Sequence, residues 1–325
     1  MSTSKNVTPA KAGVQNLLKV LDSGFRRNDE MRVFRGVLIV ICGPTGVGKS
    51  DLALKWARQM GAAIISADSQ QVWKGCDIGT AKPSKKIQQE IPHYLIDLLE
   101  PDQKFDVAQY QQYATAAIQE LKSKKQPILV VGGAGLYLRI LEYGLCEAPE
   151  ENPELRNQLR TRTLEDLYQE LQKVDPELSK KIYKSDKNRI VRALEVYHQT
   201  GKTLAEFQKE HGFSKPRYVM KKIGLRLPRE ELYPRIRDRV DAMMKAGWLE
   251  EVRGLLEKYP PDCQGLLSLG YSQLVSHLQG KISLEEAVEL IKIRTRQFAK
   301  RQETWFRADP SIQWFRPDQV VPLPL

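Results

Sequence analysis

Val37-Leu38-Ile39-Val40-Ile41-Cys42-Gly43-Pro44-Thr45-Gly46-Val47-Gly48-Lys49-Ser50 is the stretch on which the fold turns. Its first six residues are apolar and read as a buried strand. The next eight match G-x-x-x-x-G-K-[ST], and a helical pattern starts at Lys49. Strand, glycine-rich loop and helix are the setting in which this motif cradles phosphates. The glycines let backbone N–H groups turn inward, and the following helix adds the positive end of its dipole. Lys49 offers a point charge to the outer phosphates, and the Ser50 hydroxyl can ligate Mg²⁺. Gly43, Pro44, Thr45, Gly46, Val47, Gly48, Lys49 and Ser50 are therefore the expected diphosphate-binding residues.

Outward from this loop, apolar runs alternate with helical patterns. After a helix at about 49–60, Ala62-Ala63-Ile64-Ile65-Ser66 reads as a strand that ends on Ala67-Asp68-Ser69. In open α/β sheets ligands bind at the carboxyl ends of strands, so Asp68 belongs near the loop if the two strands are parallel. Residues 94–99 read as a third strand, 107–122 as a helix, and Pro127-Ile128-Leu129-Val130-Val131-Gly132-Gly133 as a fourth strand. This alternation argues for a parallel sheet flanked by helices, a P-loop kinase-like α/β fold. From 147 to 212 only helical patterns occur, at 153–162, 164–173, 176–182 and 187–200, with Gly201 as a stop. That stretch reads as an all-helical insertion. It divides the core into 31–146 and 213–325. Residues 221–227 return to strand, and four helical segments follow. The last, 283–307, opens on the capping box Ser283…Glu286. The proline-rich tail from Trp314 reads as peripheral. Residues 1–30 have a leader's composition and are expected to be disordered, or to precede a true start at Met31.

The chain has 325 residues, 51 Lys+Arg against 40 Asp+Glu and a net charge of +11, which suits a polyanionic partner such as RNA. No run approaches the roughly 18 apolar residues of a membrane span. The four cysteines and four histidines are scattered, so neither a disulfide framework nor a zinc site is indicated, and free thiols suit the cytoplasm.

The motif alone fits a GTPase, an ATPase, a nucleotide kinase or a transferase. The 127–131 strand ends in Gly132-Gly133 with no acid to hold Mg²⁺ or attacking water, and no N-K-x-D or D-x-x-G follows. Asp68 is left as the main acid at the site, as general base, Mg²⁺ ligand or turn cap. Arg235 and Arg239 lie four apart on the 230–245 helix and share a face. That face either holds a diphosphate or is solvated and paired with Asp238 or Asp241, and spacing alone favours the second. Lys292, Arg294, Arg296, Lys300, Arg301 and Arg307 crowd the last helix with Phe298, Trp305 and Phe306 between them. The pattern fits a nucleic-acid surface, or core aromatics under a solvated face.

Several segments together resemble the tRNA dimethylallyltransferase family over about 37–307. They are Gly43-Pro44-Thr45, Ser66-Ala67-Asp68-Ser69-Gln70-Gln71-Val72, Asp77-Ile78-Gly79-Thr80-Ala81-Lys82-Pro83, Pro92-His93, Arg189-Ile190-Val191-Arg192-Ala193-Leu194-Glu195-Val196-Tyr197 and Arg296-Gln297-Phe298-Ala299-Lys300-Arg301-Gln302-Glu303-Thr304-Trp305. The resemblance implies transfer of a dimethylallyl group from dimethylallyl diphosphate to N6 of adenine 37 beside the tRNA anticodon. Asp68 would accept the amino proton, with Lys49 and Arg239 as the other catalytic groups. Arg235 and Arg239 would help the loop hold diphosphate, and Mg²⁺ would sit at Ser50. Asp68, Ser69, Gln70, Gln71 and Asn188, Arg189, Ile190, Val191, Arg192 match segments that contact tRNA. Arg296, Lys300 and Arg301 join them from the last helix, and the insertion would grip the anticodon stem-loop. The expected protein is a cytoplasmic monomer of bacterial type with no membrane partner. Ala134 departs from the pattern, since the family usually has Thr there, and it is given no polar role. The competing readings are a small-molecule P-loop kinase, prenylation of free adenine nucleotides, and a non-catalytic RNA-binding protein.

Overall fold

The computed structural model describes residues 36–319, so the expected leader at 1–30 lies outside the described residues. Six strands form one parallel sheet in the order β3-β2-β4-β1-β5-β6. They are β1 (Val37–Cys42), β2 (Ala63–Ser66), β3 (His93–Tyr94), β4 (Ile128–Gly132), β5 (Val219–Leu225) and β6 (Ile312–Phe315). Leu38 to Cys42 are all essentially inaccessible, as expected of a central strand covered on both faces. Ile39 and Ile41 join Leu129, Ile64, Ile223 and Leu225 in one core with Trp56 of the first helix.

The flanking helices of this unit are α1 (Lys49–Met60), α2 (Lys85–Glu90), α3 (Val107–Ser123) and α4 (Gly135–Tyr143), which leads out of it. After the insertion and its five helices come α10 (Arg229–Lys245), α11 (Trp248–Leu256), α12 (Tyr271–Leu278) and α13 (Leu284–Arg307). The Ser283–Glu286 capping box opens α13 as the sequence implied.

Two compact units are present, one of residues 36–138 with 218–319, the other Arg139–Arg217. The second holds α5 (Pro153–Thr161), α6 (Leu164–Val174), α7 (Pro176–Ser179), α8 (Lys187–Thr200) and α9 (Leu204–His211). It is wholly helical, and its bounds are wider than 147–212. Its core sets Ile190, Val191, Ala193 and Leu194 of α8 against Leu159, Leu167, Tyr168 and Leu171. Gly201 ends α8 at φ 71, and α9, not separated in the sequence reading, starts from a Thr203–Glu206 capping box.

Three expectations need correction. The 94–99 run is not a strand beyond Tyr94, because Leu95 and Asp97 turn left-handed at φ 65 and 53. The Asp97 and Leu98 N–H groups then donate to the Gln71 and Val72 carbonyls at 3.1 and 2.8 Å, and the Asp97 carboxylate meets Lys82 at 2.5 Å. The helix expected at 176–182 stops at Ser179. The tail is not peripheral at Trp314. β6 pairs with β5, and Lys222 of β5 reaches Asp309 at 2.8 Å just before it.

Glu195 is a fully buried carboxylate in the second unit. It accepts from Arg156, Arg192 and the Asn152 N–H at 2.7, 2.8 and 2.8 Å. Burial pushes its carboxyl up, but these three donors outweigh it and hold it below the usual range. Its stabilising effect is therefore present above the unfolded carboxyl value of about 4.3 and is lost as pH falls through the folded one. Glu195→Ala should cost roughly 1–3 kcal/mol, since Arg156 keeps Glu151 and Arg192 keeps the Pro149 carbonyl but both lose their buried acceptor, read by hydrogen exchange of α8. The wild-type α8 amides should lose protection on acidification where the variant's show no such step.

Candidate active site

The parallel sheet brings the ends of β1, β2 and β4 to one edge. There the loop after β1, Asp68 after β2 and Gly132 with Gly133 at β4 line neighbouring cavities. The Ala67 N–H donates to Val131 at 2.8 Å, and Ala67 accepts from the Ala134 N–H at 3.2 Å, so the β2 and β4 turns are laced together. Gly43 lets the loop pass β5. A Cβ there would lie 2.4 Å from the Leu225 carbonyl oxygen, at a φ of 138 that side chains avoid.

The larger cavity, about 480 Å³, has Gly46, Gly48, Lys49, Ser50, Asp68, Arg235 and Arg239 in its wall. Among the described residues no protein group accepts from the Gly46, Val47 or Gly48 N–H groups. The Lys49 ammonium donates to the Gly43 and Pro44 carbonyls at 3.0 and 2.8 Å. Its pKa is pushed down to about 8, first by burial and further by Arg239, against the pull of Asp68. Burial also lowers Arg239, opposed by Asp68 and Asp51. The arginine face is thus only in part the solvated one that spacing favoured, since Arg235 is exposed while Arg239 is half-buried. Asp238 pairs with Arg237 and Asp241 with Lys292, at 3.2 and 2.8 Å, while Arg235 and Arg239 border the cavity.

The smaller cavity, about 110 Å³, shares Thr45, Asp68, Thr80 and Arg239 with the larger one. Its other walls are Ile236, Val240, Met243, Trp248 and Phe298, with Ser69, Gln70 and Ala134 at the strand ends. Gln70 Oε1 and Trp248 Nε1 are buried without a hydrogen-bond partner among the described residues. Asp68 caps its turn, Oδ1 accepting from the Gln70 N–H at 2.8 Å; Oδ2 has no hydrogen-bond partner among the described residues. Capping and a chemical role are therefore compatible.

Residues without an assignment from the sequence support this frame. Glu251 accepts from the Asp77 and Ile78 N–H groups at 3.1 and 2.7 Å and from the Tyr271 hydroxyl at 2.6 Å. It fixes the loop that carries Thr80 and Lys82 to the larger cavity. Gln302 of α13 bonds Thr45 and Gly133. Both partners are long-range and carry no local sequence signal.

The expected RNA-contacting residues separate by exposure. Asn188, Arg189, Lys300 and Arg301 are exposed. Arg192 is tied to Glu195 and the Pro149 carbonyl. Ile190 and Val191 are correctly placed in the chain but lie in the helical core, 0% and 2% exposed, so their side chains are not available to a partner. Of the three α13 aromatics, Phe306 is core at 3% exposed. Phe298 and Trp305 are 38% and 42% exposed, so the reading of these aromatics as core fails for two of the three.

A glycine-rich loop and a carboxylate at the carboxyl edge of a parallel sheet define an α/β protein of the phosphate-loop class. The family model described as IPP transferase matches residues 71–309, and the chain belongs to that family. It is 50% identical over 283 residues to tRNA dimethylallyltransferase 1 of Trichlorobacter lovleyi, covering 85% of this chain and 92% of the relative. It is 45% identical over 282 residues to tRNA dimethylallyltransferase 2 of Geotalea uraniireducens, covering 85% and 91%. A tRNA isopentenylpyrophosphate transferase structure from Bacillus halodurans superposes with a TM-score of 0.65 at 34% identity, covering 86% of this chain and 89% of that one. A eukaryotic dimethylallyltransferase acting on tRNA gives a TM-score of 0.73 at 29% identity, covering 83% and 70%.

An ammonium that loses its proton near pH 8 sets a direction for anion binding. An anion prefers the charged form, so inorganic diphosphate should bind most tightly below pH 8. Above it, the dissociation constant should rise by up to about tenfold per pH unit as Lys49 deprotonates. Calorimetric titrations from pH 7 to 9 check this, and Lys49→Met should bind weakly with no such break.

Proposed function

We propose that this protein transfers a dimethylallyl group from dimethylallyl diphosphate to N6 of adenine 37 in tRNA, with release of diphosphate. The observation that carries the reading is that Asp68 borders both cavities, the one lined by the phosphate loop and the one with apolar walls. A carboxylate there stands between a leaving anion and an incoming base. The names of the relatives agree with it, and a tRNA substrate supports an activity in the cytoplasm.

In this reading the larger cavity holds the diphosphate against Lys49, Arg235, Arg239 and the loop N–H groups. The smaller one takes the branched five-carbon group and the base edge. Gln70 Oε1 and Trp248 Nε1 offer an acceptor and a donor that a heteroaromatic base can meet. An exocyclic amine is a weak nucleophile, so its proton must leave as it attacks. Asp68 Oδ2 takes that proton as the N6–C1 bond forms and the C1–O bond breaks. The charge growing on diphosphate is met by Lys49 and the two arginines.

Among the described residues no cluster of three or more His, Cys, Asp or Glu side chains could hold a metal by itself. Ser50 and Asp51 nonetheless present oxygen donors at the cavity, beside the expected diphosphate. That set fits Mg²⁺, which keeps waters and takes phosphate oxygens as ligands. Bound through the Ser50 hydroxyl, Mg²⁺ would add positive charge to the leaving group.

For RNA, the exposed Asn188 and Arg189 and the α13 residues Arg296, Lys300 and Arg301 would contact the backbone of the anticodon stem-loop, with Asp68, Ser69 and Gln70 of the smaller cavity at the reacting base and Gln71 in the wall of the larger one. Taking a base out of its stack costs a few kcal/mol, least in a single-stranded loop.

Incubation with Mg²⁺, labelled dimethylallyl diphosphate and unmodified tRNA should place label in RNA at adenine 37. Absence of label with ATP turnover instead would point to the kinase reading. Asp68→Ala should lower turnover by at least ~10² while tRNA affinity stays within a few-fold. Unchanged turnover would remove Asp68 as the base.

A further inference from the structure

Gln302 stands out among buried polar groups because both of its hydrogen bonds reach loops that border the cavities, and nothing else in the proposed reaction uses it. It is 7% exposed, on the inward face of α13. Its Oε1 accepts from the Thr45 N–H at 2.8 Å, and its Nε2 donates to the Gly133 carbonyl at 3.0 Å. Thr45 lines both cavities, and Gly133 lines the smaller one. The two loops come from β1 and β4, adjacent strands whose own ladder ends at Cys42 and Gly132. Beyond that point the side chain of Gln302 supplies the next link between them.

An uncharged amide of this length makes the link. It must accept from one backbone N–H and donate to one backbone carbonyl in a single planar group. Glutamate loses the donor, lysine and arginine lack the acceptor, and aliphatic residues leave two buried backbone groups unpaired. The fit is close on the other side as well. A Cβ on Gly133 would lie 2.1 Å from Gln302 Nε2, so only glycine lets the amide reach this carbonyl.

We infer that Gln302 is a positioning residue, which locks the diphosphate-gripping loop to the β4 turn and so fixes the leaving group relative to Asp68. The inference rests on the prenyl-transfer reading, but its first readout does not. Thr45 is held by Gln302, so the loop N–H groups that follow it start from a fixed point. Loss of the amide frees the loop to shift, and its grip on an anion weakens even in the absence of RNA.

The same helix carries the exposed Phe298, Lys300, Arg301 and Trp305. A residue that merely packed α13 onto the sheet would, when replaced, lower stability and disturb that outer face with the rest of the helix. A positioning residue acts selectively on the loop.

The test uses the full chain and three variants, Gln302→Met, Gly133→Ala and both together. Gln302→Met keeps length and loses both hydrogen bonds, while Gly133→Ala leaves Gln302 in place and displaces its amide. Inorganic diphosphate binding is measured by calorimetry and tRNA binding by filter retention at fixed salt. kcat and KM for dimethylallyl diphosphate are taken from the labelling assay. Each single variant should weaken diphosphate about tenfold and lower kcat at least as much, with tRNA affinity within twofold of wild type. The double variant should be no worse than either single one, because both break the same contact. Diphosphate affinity and kcat within twofold of wild type in a folded Gln302→Met protein, or losses that multiply in the double variant, would overturn the assignment. Should Gln302→Met fail to fold, Gly133→Ala carries the same expectation alone. Failure of the wild-type protein to label tRNA would sink the prenyl-transfer reading, while the diphosphate titrations would still decide the role of Gln302.

Discussion

The Lys49 ammonium lies in the wall of the larger cavity, where the carbonyls of Gly43 and Pro44 accept its hydrogen bonds and the Asp68 carboxylate favours its charge. Withdrawing a cation from water is costly unless it is paired, and two carbonyls replace only part of its hydration. That cost appears as a pKa near 8. Among the described residues the Gly46, Val47 and Gly48 N–H groups beside it have no protein acceptor. Such a site is complementary to an anion of several oxygens, and the geometry that holds it open is inherited from the sheet. Gly43 must pass the Leu225 carbonyl, and the Thr45 N–H must meet Gln302.

What distinguishes this loop from that of a kinase is its surroundings. β4 ends in Gly132-Gly133, with no carboxylate to organise a metal or an attacking water. The acid is supplied by β2 instead, at Asp68, and it stands at the border of an apolar cavity too small for a nucleotide. It is well placed to take a proton from a nucleophile that attacks carbon, with the phosphates departing intact. The smaller cavity also explains why Ala134 is compatible with the site. Its backbone N–H bonds Ala67, and the hydroxyls of Thr45 and Ser69 sit on residues lining the same walls.

The sheet was readable because its signals are local. An apolar run before G-x-x-x-x-G-K-S, another before Asp68 and a third before Gly132-Gly133 each report a buried parallel strand. β6 was missed because Ile312–Phe315 is short and lies next to prolines, and its strand character comes from pairing with β5. The 94–99 run failed in the opposite way, since its apolar residues are spent on a left-handed turn anchored by Lys82 and Asp97. At the site, the loop and Asp68 were legible from position along the strands. The assignment of Arg235 and Arg239 was not, because their competition with Asp238 and Asp241 is settled by Arg237 and Lys292, the latter from another helix. Gln302, Trp248 and Glu251 were not legible at all. Their partners lie far away in sequence, at Thr45, at the cavity wall and at Asp77.

A phosphate loop that clamps a leaving group requires the broken bond to join carbon to oxygen. Dimethylallyl diphosphate carrying ¹⁸O at the bridging position tests this directly. With unmodified tRNA as acceptor, all of the bridging label should be recovered in released diphosphate and none with the prenyl group. Recovery of the label with the prenyl group would mean cleavage between phosphorus and oxygen and would contradict the account.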